Sequence, residues 1–177
     1  MTRILAAAAL LIAAGCANQG TTSAAEAAAP AAGSAVADLA DAKGTRVGRA
    51  VGTEHGGMIH LSVEARSLPP GVHGIHVHTV GRCDAPDFTT AGSHWNPAGK
   101  QHGTENPQGP HAGDMPNLTI GADGRGSLTF MLPSGTLDGM LDADGAALVI
   151  HAAADDLKTD PSGNSGARLA CGVFRRG

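Results

Sequence analysis

The sequence predicts an all-β fold, an antiparallel sandwich or barrel of about eight strands. Three observations carry this reading. Helical periodicity is scarce after residue 34, 26 Gly and 10 Pro punctuate the chain, and the apolar runs between them are short and alternate with polar residues. Taken in order, the strand-like runs begin with "AVADL" (35–39) and "TRVGRAVGTE" (45–54). "MIHLSVEARSL" (58–68) is the clearest, with Ile59, Leu61, Val63 and Ala65 on one face of an extended chain. "VHGIHVHTV" (72–80), "NLTIG" (117–121), "GSLTFML" (126–132), "AALVIHA" (146–152) and "ARLACGVF" (167–174) complete the set. "GTEHGG", "SLPPGV" and "ADGRG" between them are turn chemistry. Two connections, 82–116 and 153–166, are too long for hairpins, and loops of that length inside a compact domain are usually functional or disordered; the three His of the first favour function.

Ahead of the strands, residues 1–15, "MTRILAAAALLIAAG", read as a signal peptide: one Arg, an apolar run too short to span a bilayer, and a small-residue ending. Cys16 in "AAGC" has the setting of a bacterial lipoprotein processing site, although Ala13 stands where a larger aliphatic is usual. An ordinary cleaved secretory signal is the alternative. A lipidated Cys16 would tether the chain to a membrane without spanning it, placing an exported protein in the periplasm or cell envelope. Residues 17–34 are Ala-rich and too poor in large apolar side chains to fold, so 16–34 is expected to be a flexible tether and 35–177 the folded domain.

Composition narrows the function. The 12 Lys and Arg against 16 Asp and Glu form no basic run, and the aromatics are one Trp, three Phe and no Tyr. Nucleic-acid binding wants a basic patch with stacking aromatics, and neither is present. Cys83 and Cys171 remain once Cys16 is set aside. In an oxidising compartment two Cys in a small domain read as a disulfide. A pair of metal-binding thiolates is the competing reading, weakened by the lack of a second Cys at ligand spacing.

The chemistry-bearing residues lie in three stretches. In "GIHVHTVGRC" (74–83), His76 and His78 share one strand face while Ile75 and Val77 take the other. In "SHWNPAGKQHGTENPQGPHAGD" (93–114), His94, His102, His111 and Asp114 form a four-ligand set of the kind that closes tetrahedral zinc, with scattered loop histidines as the plain alternative. A bound ion would order a loop with no core of its own. In "ALVIHAAADDL" (147–157), His151 ends an apolar strand. A lone His there is ordinarily structural, but carboxylates at Asp155 and Asp156 suit the hydrogen bond that a ligating His donates from its other ring nitrogen.

"GIHVH", "SHWNP", "HAGD", "IHAAADDL" and "SGNSGARLACGVF" together resemble the copper/zinc superoxide dismutase family, in family order and spacing over about residues 35–174. The resemblance implies an eight-stranded Greek-key barrel of immunoglobulin-like sandwich type. It implies copper on His76, His78, His94 and His151, and zinc on His94, His102, His111 and Asp114, with His94 bridging the two as an imidazolate. Asp155 would link a copper His to a zinc His, Cys83 and Cys171 would form the family disulfide, and Arg168 would guide the anion beside the copper. The implied activity is dismutation of superoxide to dioxygen and hydrogen peroxide, with copper cycling between oxidation states, His94 taking up a proton in turn, and zinc structuring the site. The catalytic residues would then be His94 and Arg168.

Departures from the family pattern are few. The stretch 157–166 carries Lys158 as its only base, Ser162 stands where Thr is frequent, and Trp95 is expected to pack. His55, His60 and His73 are expected at exposed strand or turn positions. A non-enzymatic copper-binding or copper-delivery module is the alternative of a different class, and a purely structural envelope lipoprotein a third; turnover with intact metals separates the enzyme from both. Homodimer and monomer are both compatible with the sequence.

Overall fold

The computed structural model describes residues 33–177; the expected signal peptide, Cys16 and nearly all of the tether lie outside the described residues. The strands are β1 (Ser34–Asp41), β2 (Arg46–His55), β3 (Met58–Ala65), β4 (Gly71–His73), β5 (Ile75–His78), β6 (Leu118–Ile120), β7 (Gly126–Met131), β8 (Ala147–His151), β9 (Arg168–Val173) and β10 (Arg175–Arg176). One short helix, α1 (Leu137–Met140), lies between β7 and β8. All pairing is antiparallel, and the main sheet runs β5-β8-β9-β1-β2-β3-β7. β8 beside β5 and β7 beside β3 are crossovers between strands distant in sequence, and the curled sheet is a Greek-key barrel.

All eight expected strand-like runs become strands, and "VHGIHVHTV" becomes two. The division falls at Gly74, where the chain leaves β6 for β8: His73 pairs with Leu118, and Ile75 with Ile150. Gly74 donates to the Ala153 carbonyl at 2.8 Å, and a Cβ there would sit 2.7 Å from that of Ser165, so only glycine fits this corner.

The core follows the period of two. Ile59, Leu61 and Val63 of β3 meet Leu39, Ile75, Val77, Leu148 and Ile150 inside the barrel, each at most 1% exposed. β8 is buried on both faces: Leu148 and Ile150 point inward, while Ala147 and Val149 join Phe88, Ala91 and Cys171 in a second cluster outside the barrel. That outer cluster underlies the long loop. The Cys83–Cys171 disulfide clips the loop to β9 across 88 residues of chain, a closure that contributes at most about 4–5 kcal/mol.

The structure adds a third long connection, 132–146, that the sequence reading passed over. Thr136 caps α1 by accepting from the Gly139 amide at 3.1 Å, Leu137 and Met140 are buried, and Glu54 of β2 accepts the Leu137 amide at 2.8 Å. Trp95 packs here, so close that a Cβ on Gly135 would lie 2.2 Å from the indole.

Candidate metal centre

Period-two alternation sends Ile75 and Val77 of β5 inward, so His76 and His78 emerge on the outer face of the barrel. Across the ladder on that face stand Val149 and Ala147, and His151 continues the row. β5 is the edge of the sheet, and the long loop covers it with backbone hydrogen bonds. Trp95 donates to Val77 O at 2.8 Å, Val77 to Gly113 O at 3.0 Å, and Thr79 to Ser93 O at 2.9 Å. These contacts seat His94 opposite His78 and Asp114 opposite His76. Gly113 is required, because a Cβ there would lie 2.2 Å from Val77 O.

Seven side chains thus meet under the loop: the six sequence-selected histidines and Asp114, all at most 5% exposed. Two sets form, and His94 belongs to both. In the first, one ring nitrogen from each of His76, His78, His94 and His151 lies within 4.8 Å of every other. Hydrogen bonds decide which nitrogens face inward. His78 donates Nδ1–H to Gly92 O at 2.8 Å and His151 donates Nδ1–H to Gly166 O at 3.3 Å, turning their Nε2 atoms to each other at 3.4 Å. His76 gives Nε2 to Asp155 at 2.5 Å, which leaves its buried Nδ1 without a partner; His94 Nε2 is likewise orphaned.

In the second set, one carboxylate oxygen is the hub. Asp114 Oδ1 lies 3.0 Å from His94 Nδ1, 3.0 Å from His102 Nδ1 and 3.3 Å from His111 Nδ1, the last without hydrogen-bond alignment. A tetrahedral ion with bonds of about 2.0–2.1 Å sets its ligands about 3.3 Å apart, which the three spacings to Asp114 Oδ1 match. His111 lies outside the group whose ligand atoms all fall within 4.8 Å of one another and would have to close in on the ion. His76, stacked on His94 with ring centroids 3.9 Å apart, also comes within 4.8 Å of His94, His102 and Asp114. Orphaned buried nitrogens and an all-imidazole set beside a His₃Asp set are the donor chemistry that copper and zinc require.

Electrostatics follows burial. Desolvation holds the imidazoles neutral: His78 is pushed down to about 2, His151 to about 3 and His94 to about 4, and His76 is lowered too. His102 goes the other way, to about 9, because its bonds to Asp114 and Asp155 outweigh its desolvation. Both carboxylates are held well below the usual range, against burial, by those same bonds to His102 and by their other imidazole partners.

Asp155 links the sets, accepting from His76 Nε2 at 2.5 Å and facing His102 Nε2 at 3.1 Å. Arg168 lies opposite His151 in the β8–β9 register, and its guanidinium is tied to Phe88 O at 2.6 Å and Gly92 O at 2.7 Å. Several supporting residues escaped the sequence reading. Asn117 and Asp155 exchange two amide bonds, at 2.9 and 2.8 Å, and Asp160 accepts the His102 amide at 2.6 Å. Gly163 roofs the Asp155–His102 contact, where a Cβ would be 1.7 Å from Asp155 Oδ1. These pairings span loops, and no local pattern signals them. One expectation is corrected: His73 is buried, not exposed, because the short β4 turns it under the chain, where its ring bonds His151 O at 2.8 Å and Pro69 O at 2.9 Å.

A Greek-key barrel with a two-set imidazole and carboxylate centre on its outer face defines a binuclear metalloprotein. The family described as copper/zinc superoxide dismutase (SODC) matches residues 43–174. Superoxide dismutase [Cu-Zn] 1 of Aquifex aeolicus is 41% identical over 145 residues, 78% of this chain and 86% of the relative. The superoxide dismutase-like protein YojM of Bacillus subtilis is 46% identical over 142 residues, 73% of this chain and 71% of the relative. Among solved structures, a SOD-like protein from Bacillus subtilis superposes with a TM-score of 0.74 at 42% identity, covering 78% of this chain and 96% of that one. Cu/Zn superoxide dismutase from Brucella abortus gives 0.66 at 32% identity, covering 80% and 99%. The chain belongs to the copper/zinc superoxide dismutase family, oxidoreductases whose cofactors are copper and zinc.

Proposed function

We propose that this chain dismutates superoxide, two anions and two protons giving dioxygen and hydrogen peroxide, in the envelope of an exporting cell. The observation that supports it most directly is the sharing of His94 between a four-imidazole set and a set centred on one Asp114 oxygen. His76, His78, His94 and His151 would hold copper, and His94, His102, His111 and Asp114 would hold zinc. When bound, copper supplies the one-electron couple that oxidises one superoxide and reduces the next, and zinc supplies fixed charge and order.

The chain's own residues do the remainder. His94, with Nδ1 toward Asp114 and Nε2 toward the imidazole set, is placed to hold a proton at Nε2 and yield it to reduced substrate. Asp155 fixes the rings of His76 and His102 against each other, so both sets keep their orientation through turnover. Arg168, locked by the Phe88 and Gly92 carbonyls, keeps a positive charge beside His151 for an incoming anion, although the chain is net negative. Cys16 would carry the lipid that tethers this activity to a membrane, and residues 17–34 would give it reach.

The test is superoxide decay by pulse radiolysis on the purified chain with copper and zinc quantified. Near-diffusion-limited, copper-dependent decay is expected. Full occupancy with decay no faster than buffer would remove the enzyme and leave a copper-handling protein. Arg168→Glu should slow decay and flatten its salt dependence with metals retained; an unchanged rate and salt slope would end the guiding role.

A further inference from the structure

On the opposite end of the sheet path from the metal centre, the outer face of β2, β3 and β7 carries four side chains that the dismutase chemistry does not use. His55 stands directly across from Met58, and His60 directly across from Met131. Met58 and His60 are two apart in β3, so they share a face, and that face is the solvent side because the intervening Ile59 is fully buried. Directly opposed residues have Cβ atoms about 4.5–5.5 Å apart. The His55 and His60 rings meet edge-on with centroids 5.5 Å apart, which closes the group diagonally.

The methionines are out of place for a core. Large hydrophobics exposed among the described residues are Met58 at 45%, Val72 at 47% and Met131 at 41%. The two methionines are those that each face a histidine, on the outer faces of β3 and β7, whose inner residues pack against the core. Thioether sulfur is soft and a poor partner for zinc; with imidazole it selects monovalent copper. Met side chains have three rotatable bonds, so two thioethers and two imidazoles can close on one ion without moving the backbone.

We propose that His55, Met58, His60 and Met131 form a second, surface copper site that takes cuprous ion. With no loop among the described residues over it, the site exchanges with solvent, and it serves as an entry or reserve position for a protein whose main centre is sealed. Binding of cuprous ion here does not depend on the dismutase reading, whereas the entry or reserve role rests on copper being held at the main centre.

The experiment starts from the full chain with its main centre loaded with copper and zinc. Cuprous ion is added without oxygen in competition with a chromophoric cuprous chelator, and metals are counted. One further cuprous ion is expected, with mixed sulfur and nitrogen scattering in X-ray absorption. The double variant Met58→Leu, Met131→Leu should hold that ion about 10- to 100-fold more weakly, with the main-centre metals unchanged. His60→Gln, a polar exchange on an exposed face, should weaken it independently. No further ion, retention by the double Leu variant, or equal occupation by zinc in competition would each overturn the site. Superoxide decay read in the same samples keeps failure of the dismutase reading a separate result.

Discussion

The outer surface of one barrel carries two groups of histidines under opposite conditions. Over β5 and β8, a loop of some forty residues lies on the sheet edge, and His76, His78, His94 and His151 are buried and held neutral. Over β2, β3 and β7 none of the described residues forms a covering loop, and His55 is exposed and His60 half-buried beside exposed methionines. The β5–β8, β2–β3 and β3–β7 ladders are all unbroken, and the one irregularity beside the centre is a register shift between Ile150 and His151 where β8 pairs with β9. What separates a sealed metal centre from an open ligand patch is the roof made by the long loop and by the connection between β8 and β9. Together they desolvate the rings and add second partners, Gly92 O from the first and Asp155 and Gly166 O from the second.

Asp114→Ala breaks the roofed side most deeply. It removes the hub of three imidazoles and the acceptor for the Gly103 and His111 amides, so stoichiometric zinc should be lost. Even without metal, the buried partners left behind cost about 3–5 kcal/mol. Metal analysis and calorimetry read both effects; zinc retained at one per chain would contradict the hub. Replacing Cys83 and Cys171 by Ala comes next. It should lower stability by at most about 4–5 kcal/mol without touching the ligand set itself, visible as a lower urea midpoint. A midpoint equal to the parent's would show that the loop is held by its β5 contacts alone.

Acid sharpens the comparison at intermediate size. In the metal-free protein, His78, His94 and His151 titrate in the unfolded chain near 6.5 but only at about 2, 4 and 3 when folded. The unfolded state therefore binds more protons below 6.5, and stability should fall as pH drops from 6.5 toward 4, by about 1.4 kcal/mol per pH unit for each group. His102 has the opposite sign: raised to about 9, it stabilises below 6.5 and loses that contribution between 6.5 and 9. Urea titrations across this range test both slopes, and a flat acid limb would mean that the rings are hydrated. Smallest of all, Ser62→Ala on the bare face removes only a 3.4 Å contact with Thr129 and should change stability by less than about 0.5 kcal/mol in the same assay.

Much of this was legible along the chain because strands obey a local rule. Alternation at 59–65 marked the core face of β3, and His76 and His78, two apart, had to share the other face of theirs. Ligand types in 93–114 and 147–157 marked candidates, the resemblance to the copper/zinc superoxide dismutase family named them as one set, and the expected Cys83–Cys171 disulfide is present. His73 misled because its neighbours look like a turn; it is buried with its ring against two carbonyls, one of them 78 residues away. α1 went unseen because four residues carry no period.

By itself, then, the sequence determined the all-β class, the strand faces and the candidate ligands, each a matter of period or residue type, and made a disulfide the leading reading of Cys83 and Cys171. Only the tertiary structure decided which ring nitrogen faces which set, that Asp114 Oδ1 is the common centre, that Gly113 and Gly163 must lack a Cβ, and that His55 and His60 meet Met58 and Met131 on an uncovered face. The physical reason is common to all of these. Strand period acts over two residues, whereas desolvation, hydrogen-bond partnering and close backbone approach are set by segments that meet in space after tens of residues of intervening chain.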